Sequence, residues 1–403
     1  MNDHHFDVPC SISHAVWALA LVAMMCNGAF AKPRRTEVPF IYEDNRIYVA
    51  VSSARGSLGW FILDTGVAEA LIDTSIQNKL NLTALSKETS HGAGVGELNV
   101  VRSSATTLLL GKTSLQVPNT RVAAISRVLA PYTGREIGGI IGGILFRGYV
   151  VTIDFERNKI ELHEPATFRY HGNGIIVSFH LTNGVPLVDG MITLADGSQL
   201  AARLLVDLGA KSNLLISQPF VDEHKLLDRI TPSVIEPLGA GLGGETRYAF
   251  VKIPRLTVGS NLSLSDFIAG LSVQGTLRGG YYDALLGVPA LRHYRITIDY
   301  SRKRLILEST LNRELPRFDK SGVFVIADTN TLLIHYVVPD SPGDKAGLKQ
   351  GDVLVNINSV PASSYSLAQV RSVLEGTGTD NVEMTVLRDG VQVRTSIHLR
   401  KLL

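Results

Sequence analysis

The chain has 403 residues, 45% hydrophobic and 19% charged, with 37 glycines, two cysteines and a formal charge of +2. That composition excludes a disordered chain, and a near-neutral balance without a Lys/Arg run gives no basis for binding nucleic acid or an anionic membrane. The length fits two to three domains, long enough to bury cores without disulfides.

Residues 15–25, AVWALALVAMM, are an apolar run of secretory h-region length, too short to span a bilayer. Ala29-Phe30-Ala31 supplies a small–x–small cleavage site, so a signal peptide is expected over 1–31. Residues 1–14 depart from the pattern in having no Lys or Arg. The mature chain is expected to be exported, periplasmic or secreted, with no integral membrane span after cleavage. Cys10 and Cys26 both fall in the removed segment, and lipid anchoring at Cys26 ranks second. No Cys/His cluster has zinc-ligand spacing, so neither a metal nor a cofactor is expected.

Beyond the leader, NRIYVAVSS (45–53) alternates as a strand, and GWFILD (59–64) is an apolar run ending on a carboxylate. Thr74 is placed to cap a short helix over SIQNKL. HGAGVGE (91–97) reads as a Gly-rich hairpin tip, and TIDFERNKIEL (152–162) as a hairpin. After the Pro/Gly-bearing linker EPATFRYHGNG (164–174), the same order returns. GIIVSFHL (174–181) opens it, and ARLLVD (202–207) again ends on Asp. Ser217 is placed to cap QPFVDEHKLL, with Pro219 in its first turn. LGAGLGGE (238–245) is the second hairpin tip, and TIDYSRKRLIL (297–307) the second hairpin.

Four landmarks recur at nearly constant offset. Asp64-Thr65-Gly66 and Asp207-Leu208-Gly209 stand 143 residues apart, Gly92-Ala93-Gly94 and Gly239-Ala240-Gly241 stand 147 apart, and both Ile140-Ile141-Gly142 with Leu285-Leu286-Gly287 and the TID segments stand 145 apart. The pattern reads as a duplication over roughly 38–163 and 174–308. If the copies pack about a pseudo-twofold axis, Asp64 and Asp207 face one another. Two carboxylates that close share one proton, so one is an acid and the other a base at the same pH. Water held between them can then be activated against a carbonyl. Asp154 and Asp299 are also paired by the repeat, and read as strand-end carboxylates beside Arg157 and Arg302. The G-x-G-x-x-G at 239–244 is followed by a strand pattern, not a helix, which argues against a dinucleotide site.

The doubled Asp–x–Gly turn, the Gly-rich flap and the later apolar–apolar–Gly segment resemble the retropepsin-like aspartic proteases, with both lobes in one chain. The resemblance implies Asp64 and Asp207 as the catalytic pair and Thr65, Gly66 and Gly209 as its supports. It implies Gly92, Ala93, Gly94 and Gly96 with Gly239, Ala240, Gly241 and Gly243 as flaps over a peptide substrate. Position 208 departs from the pattern, carrying Leu where the family has Thr or Ser. An aspartic endopeptidase is therefore expected, with a peptide-binding scaffold that keeps the protease shape as the alternative.

From about residue 311 the character changes. Ser341-Pro342, Ala346-Gly347-Leu348, Gly351-Asp352, Ile357-Asn358 and Arg388-Asp389-Gly390 resemble a PDZ domain of the kind attached to bacterial envelope proteases. The resemblance implies that a peptide C-terminus is added as a strand, its carboxylate held at Ser321, Gly322, Val323 and Phe324. LIHYV (333–337) is expected in the core, beyond the groove strand. The expected architecture is mainly β: two pseudo-symmetric retropepsin-like β-barrel lobes (32–165 and 166–310) and an α+β PDZ domain (311–403).

Overall fold

The computed structural model describes residues 35–403, except 95, 232–233, 274–276, 279 and 312–316. The expected leader and both cysteines lie outside the described residues.

The chain is mainly β. Alternation in Arg46–Ser53 and Gly56–Leu63 buries Ile47, Val49, Val51, Phe61 and Leu63. Gly56–Leu63 runs parallel to Gly139–Ile141 (Ile62 opposite Ile140), and Gln199–Asp207 runs parallel to Ala284–Gly287 (Leu205 opposite Leu285). The two apolar–apolar–Gly segments thus lie beside the two Asp-bearing strands, as the repeat demands.

A central sheet joins the copies. Val150–Asp154 pairs antiparallel with Tyr294–Asp299, placing Thr152 opposite Thr297. These repeat-equivalent threonines bond hydroxyl to hydroxyl at 2.8 Å, so the pseudo-twofold axis passes between them. Each copy then adds its own hairpin strand: Lys159–His163 on one side and Arg304–Ser309 on the other. One apolar cluster, from Val38 to Leu307, runs through both copies. Asp154 and Asp299 close the hairpin turns by accepting from Arg157 N and Arg302 N, and Asp299 also binds the Arg302 and Arg304 side chains.

The short helices differ from expectation. Asp73, not Thr74, caps the first, because its carboxylate reaches Ser75 N at 2.8 Å and also Ser126 N. That segment folds as two 3₁₀ turns, Thr74–Ile76 and Asn78–Leu80. Ser217 precedes Gln218–Glu223 without a side-chain cap bond, and Lys225, at φ +50°, divides that helix from Leu226–Arg229.

The C-terminal region is a separate sheet whose edge strand is Val323–Asp328, followed by Thr331–Val337. Helix Leu367–Leu374 lies across it, opened by a capping box between Ser366 and Gln369. Buried Asp352 holds the fold's far corner through paired bonds with Arg388 at 2.7 and 2.6 Å. Ile334 of LIHYV is buried as expected, but His335 leaves the core to bond Glu245 of the second copy.

Candidate functional site: paired carboxylates under two flaps

Each Asp ends a buried strand and turns sharply through glycine. Gly66 N donates to Asp64 Oδ1 at 2.7 Å, and Gly209 N donates to Asp207 Oδ1 at 2.8 Å. The glycines are dictated by the opposite lobe. A Cβ on Gly66 would stand 3.0 Å from Asp207 Cγ, and a Cβ on Gly209 would overlap the Asp64 carboxylate. Asp64 and Asp207 therefore meet across the axis. Beneath them, Asp64 N donates to Ile141 O at 2.9 Å, and Asp207 lies opposite Gly287.

Thr65 ties the turns together. Fully buried, its hydroxyl donates to Val206 O at 2.6 Å and accepts from Leu208 N at 3.0 Å. Leu208 has no hydroxyl to return these bonds and is itself fully buried in the apolar cluster. The hydroxyl-to-backbone link between the two Asp turns therefore comes from Thr65, where symmetry would have a second hydroxyl at position 208.

Burial raises the affinity of both carboxyls for protons. Asp64 is held well above the usual carboxylate range by burial, then by the Asp207 charge and the hydrogen bond between them. Burial also raises Asp207, opposed by the Asp64 hydrogen bond and the Gly209 and Ala210 amides. Both carboxyls being raised, the pair retains a proton that two separate aspartates would release, presenting an acid and a base on one floor.

The flaps close overhead. Hairpins Ala84–His91 with Glu97–Ser103, and Val234–Gly241 with Gly244–Val258, bring their tips into contact. Gly94 N donates to Leu242 O at 3.1 Å and Gly96 N to Gly243 O at 2.8 Å. Side chains at Gly92 or Gly94 would collide with the opposing backbone. Floor and flaps enclose a cavity of about 410 Å³. Ile62, Val67 and Ile140 wall one side, and Leu205, Tyr248 and Tyr282 the other. Among the described residues that line it there is neither Ser nor His.

Three cations that line this cavity, Arg46, Lys211 and Arg278, escaped sequence reasoning, and the first two share a partner. Lys211 follows the second turn directly, and Arg46 opens the second strand; both line the cavity and both pair with Asp44, at 3.3 and 3.2 Å. Burial would raise Asp44, but Arg371, Lys211 and Arg46 overcome it and hold Asp44 at about 2. Burial lowers Lys211 to about 8 against the pull of Asp44. The position of Lys211 immediately after Gly209-Ala210 was the readable signal.

The expected carboxylate seat in the PDZ region is differently used. Asp319 accepts from Ser321 N at 3.1 Å, from Ser321 Oγ at 2.8 Å and from Gly322 N, and Ser321 Oγ in turn accepts from Val323 N at 2.9 Å. The donors at 321–323 are thus satisfied within the chain, while Phe324 packs near Tyr132 and Arg371.

Residues 333–388 match the family model of the PDZ domain, so that domain is present. A DegP-like periplasmic serine endoprotease of Marinomonas sp. (strain MWYL1) is 26% identical over 200 residues, covering 46% of this chain and 40% of the relative. A do/HhoA-like periplasmic serine protease of Haemophilus influenzae is 23% identical over 55% of this chain and 56% of the relative. DegP of Escherichia coli (strain K12) is 32% identical over 98 residues, 24% of this chain and 19% of the relative. The chain thus spans from a fifth to just over half of these relatives' lengths. Among solved structures, an aspartic proteinase from Irpex lacteus matches at 14% identity and TM-score 0.44 over 69% of this chain and 98% of that one. Basic 7S globulin from soybean matches at 12% and 0.41 over 69% and 96%. At those scores neither likeness carries an argument.

These names correct one expectation. The sequence relatives are serine endoproteases, so the aspartic-type endopeptidase read from the doubled Asp turns is not retained as the enzyme class.

Proposed function

We propose that this chain is a periplasmic polypeptide-handling protein of the protease-plus-PDZ kind, which receives an extended chain in the cavity between its flaps and the Asp64–Asp207 floor. One observation carries the reading: two half-buried carboxyls meet on a cavity floor under paired Gly-rich hairpins whose tips approach too closely for side chains. Extended peptide fits such a slot because its main-chain groups replace the flap-to-flap hydrogen bonds, while its side chains meet the apolar walls. The periplasmic setting agrees with the relatives' names and with the exported location expected from the leader. No helix among the described residues is long and apolar enough to cross a membrane.

The test is binding of fluorescently labelled, unfolded β-casein to the full chain. Saturable binding is expected, and Ala240→Trp, which fills the cavity from the flap, removes it while the far-UV spectrum is unchanged. Equal binding by wild type and Ala240→Trp contradicts the reading. Endoproteolysis, the activity in the relatives' names, is followed in the same samples by casein fragmentation. A fluorophosphonate arm reports whether a serine, the nucleophile of those relatives, carries the cut.

A further inference from the structure

The PDZ domain does not stand free of the two copies. Its edge strand Val323–Asp328 and helix Leu367–Leu374 flank the slot in which an added strand would lie, and both face the helix Ile125–Thr133 of the first copy. Arg371, projecting from the helix, crosses that slot. Its Nη2 donates to Val325 O at 3.0 Å, the edge-strand carbonyl that an incoming strand would need. Its Nη1 donates to Tyr132 O at 2.9 Å and to Asp44 Oδ2 at 2.5 Å. Asp44 sits in the turn joining the first two strands, at φ +45°, and also binds Arg46 and Lys211. Tyr132 closes the outer side, 6.4 Å from the Phe324 ring and 6.1 Å from the His335 ring.

The carboxylate end of the slot is closed in a second way. Asp319 already takes the Ser321 and Gly322 amides. Glu236, from the second copy's flap hairpin, is 8% exposed and lines the same cavity of about 120 Å³ as Asp319 and Glu375. A peptide carboxylate entering there meets amide donors that Asp319 already occupies.

We infer that the PDZ groove is held shut by the chain's own residues: Asp319 occupies the seat of a terminal carboxylate, and Arg371 bolts the strand-to-helix slot to Asp44. The domain in this state is a docked wall of the molecule. A C-terminal peptide gains the edge strand only after the Arg371–Asp44 contact is broken, so peptide capture and undocking are one event. The occupant of the closed groove is therefore the chain itself, and its competitor is a peptide with a free carboxylate and an apolar last residue. The inference stands apart from the proposal for the cavity above Asp64 and Asp207, which it does not use.

The experiment compares wild type, Asp44→Asn and Arg371→Gln in the full chain. Asparagine is nearly isosteric with Asp and tolerates positive φ, so the turn survives while the charge is lost. Hydrogen exchange is read at amides 323–328, and anisotropy is read with a labelled decapeptide ending in a free valine carboxylate. Removing one partner of this charge-assisted contact is expected to speed exchange at 323–328 by about tenfold or more in both variants. Wild type is expected to show weak peptide binding and the variants binding tighter by about the same factor, with the amidated peptide unbound throughout. Exchange at 323–328 equal in wild type and both variants overturns the inference. So does wild-type peptide affinity equal to that of the variants.

Discussion

Replacing Thr65 by valine removes the hydroxyl that ties the first Asp turn to the backbone of the second. Valine fills nearly the same volume, so cavity and transfer terms are small. The loss is in hydrogen bonding. Val206 O, bonded at 2.6 Å, and Leu208 N, bonded at 3.0 Å, both lose their partner in a site with no exposure. A buried backbone group left unpaired costs roughly 1–3 kcal/mol, so the pair costs about 2–6 kcal/mol. Because Leu208 supplies no reciprocal hydroxyl, nothing on the other side of the axis compensates. Urea unfolding followed by tryptophan fluorescence reads the effect directly, since Trp60 lies on the strand that carries Asp64. The expected result is a lowered midpoint with an unchanged slope, and recovery of most of the loss in Thr65→Ser. A loss under about 0.5 kcal/mol in Thr65→Val would refute the idea that this hydroxyl holds the lobes in register.

Three further outcomes follow from the same geometry. Gly209→Ala drives a methyl into the Asp64 carboxyl, and is expected to lower stability by about 1–3 kcal/mol and to shift the Asp64 titration; a silent substitution by both measures contradicts the close approach. Arg388→Ala leaves Asp352, 1% exposed, without its paired partner, and is expected to cost about 3 kcal/mol in thermal or urea unfolding, whereas under about 1 kcal/mol would mean the corner is not held this way. Burial raises Glu375 to about 7 and Asp319 to about 6, so the folded chain keeps protons that the unfolded chain releases. Stability from these groups therefore falls as pH rises from about 4 to about 7, by on the order of 3 kcal/mol each, and Glu375→Gln and Asp319→Asn flatten the fall; a steeper fall in those variants contradicts it.

Much of the fold was legible because it is repeated. Buried strands ending on Asp, Gly-rich tips and TID hairpins each occur twice, and a signal seen twice in order outweighs the ambiguity of either copy. Meeting of Asp64 and Asp207 followed from symmetry alone. Features that break the symmetry were not readable. Leu208 declares a missing hydroxyl, but only the structure shows Thr65 spanning both bonds. Asp73 displaced Thr74 as a cap because it also serves Ser126 on a distant helix, a tertiary demand that a local pattern cannot express. Arg371 and Asp44 lie 327 residues apart, and neither belongs to a motif. At 321–324, where the sequence suggested a carboxylate seat, Asp319, two residues upstream of Ser321, takes the Ser321 and Gly322 amides, a local contact that the motif does not express. The enzyme class failed for a different reason: an Asp–x–Gly turn specifies a geometry for carboxylates, and the chain's sequence relatives carry their activity under another nucleophile.

Titration of the Asp64 and Asp207 side-chain carboxyls by ¹³C NMR, in wild type and Asp207→Asn, tests the shared proton most directly. The arrangement described here requires one carboxyl to titrate well above an ordinary aspartate, and the Asp64 midpoint to move downward when its partner's charge is removed. Two ordinary, independent midpoints, unchanged at Asp64 by the substitution at 207, would show that the two groups do not meet.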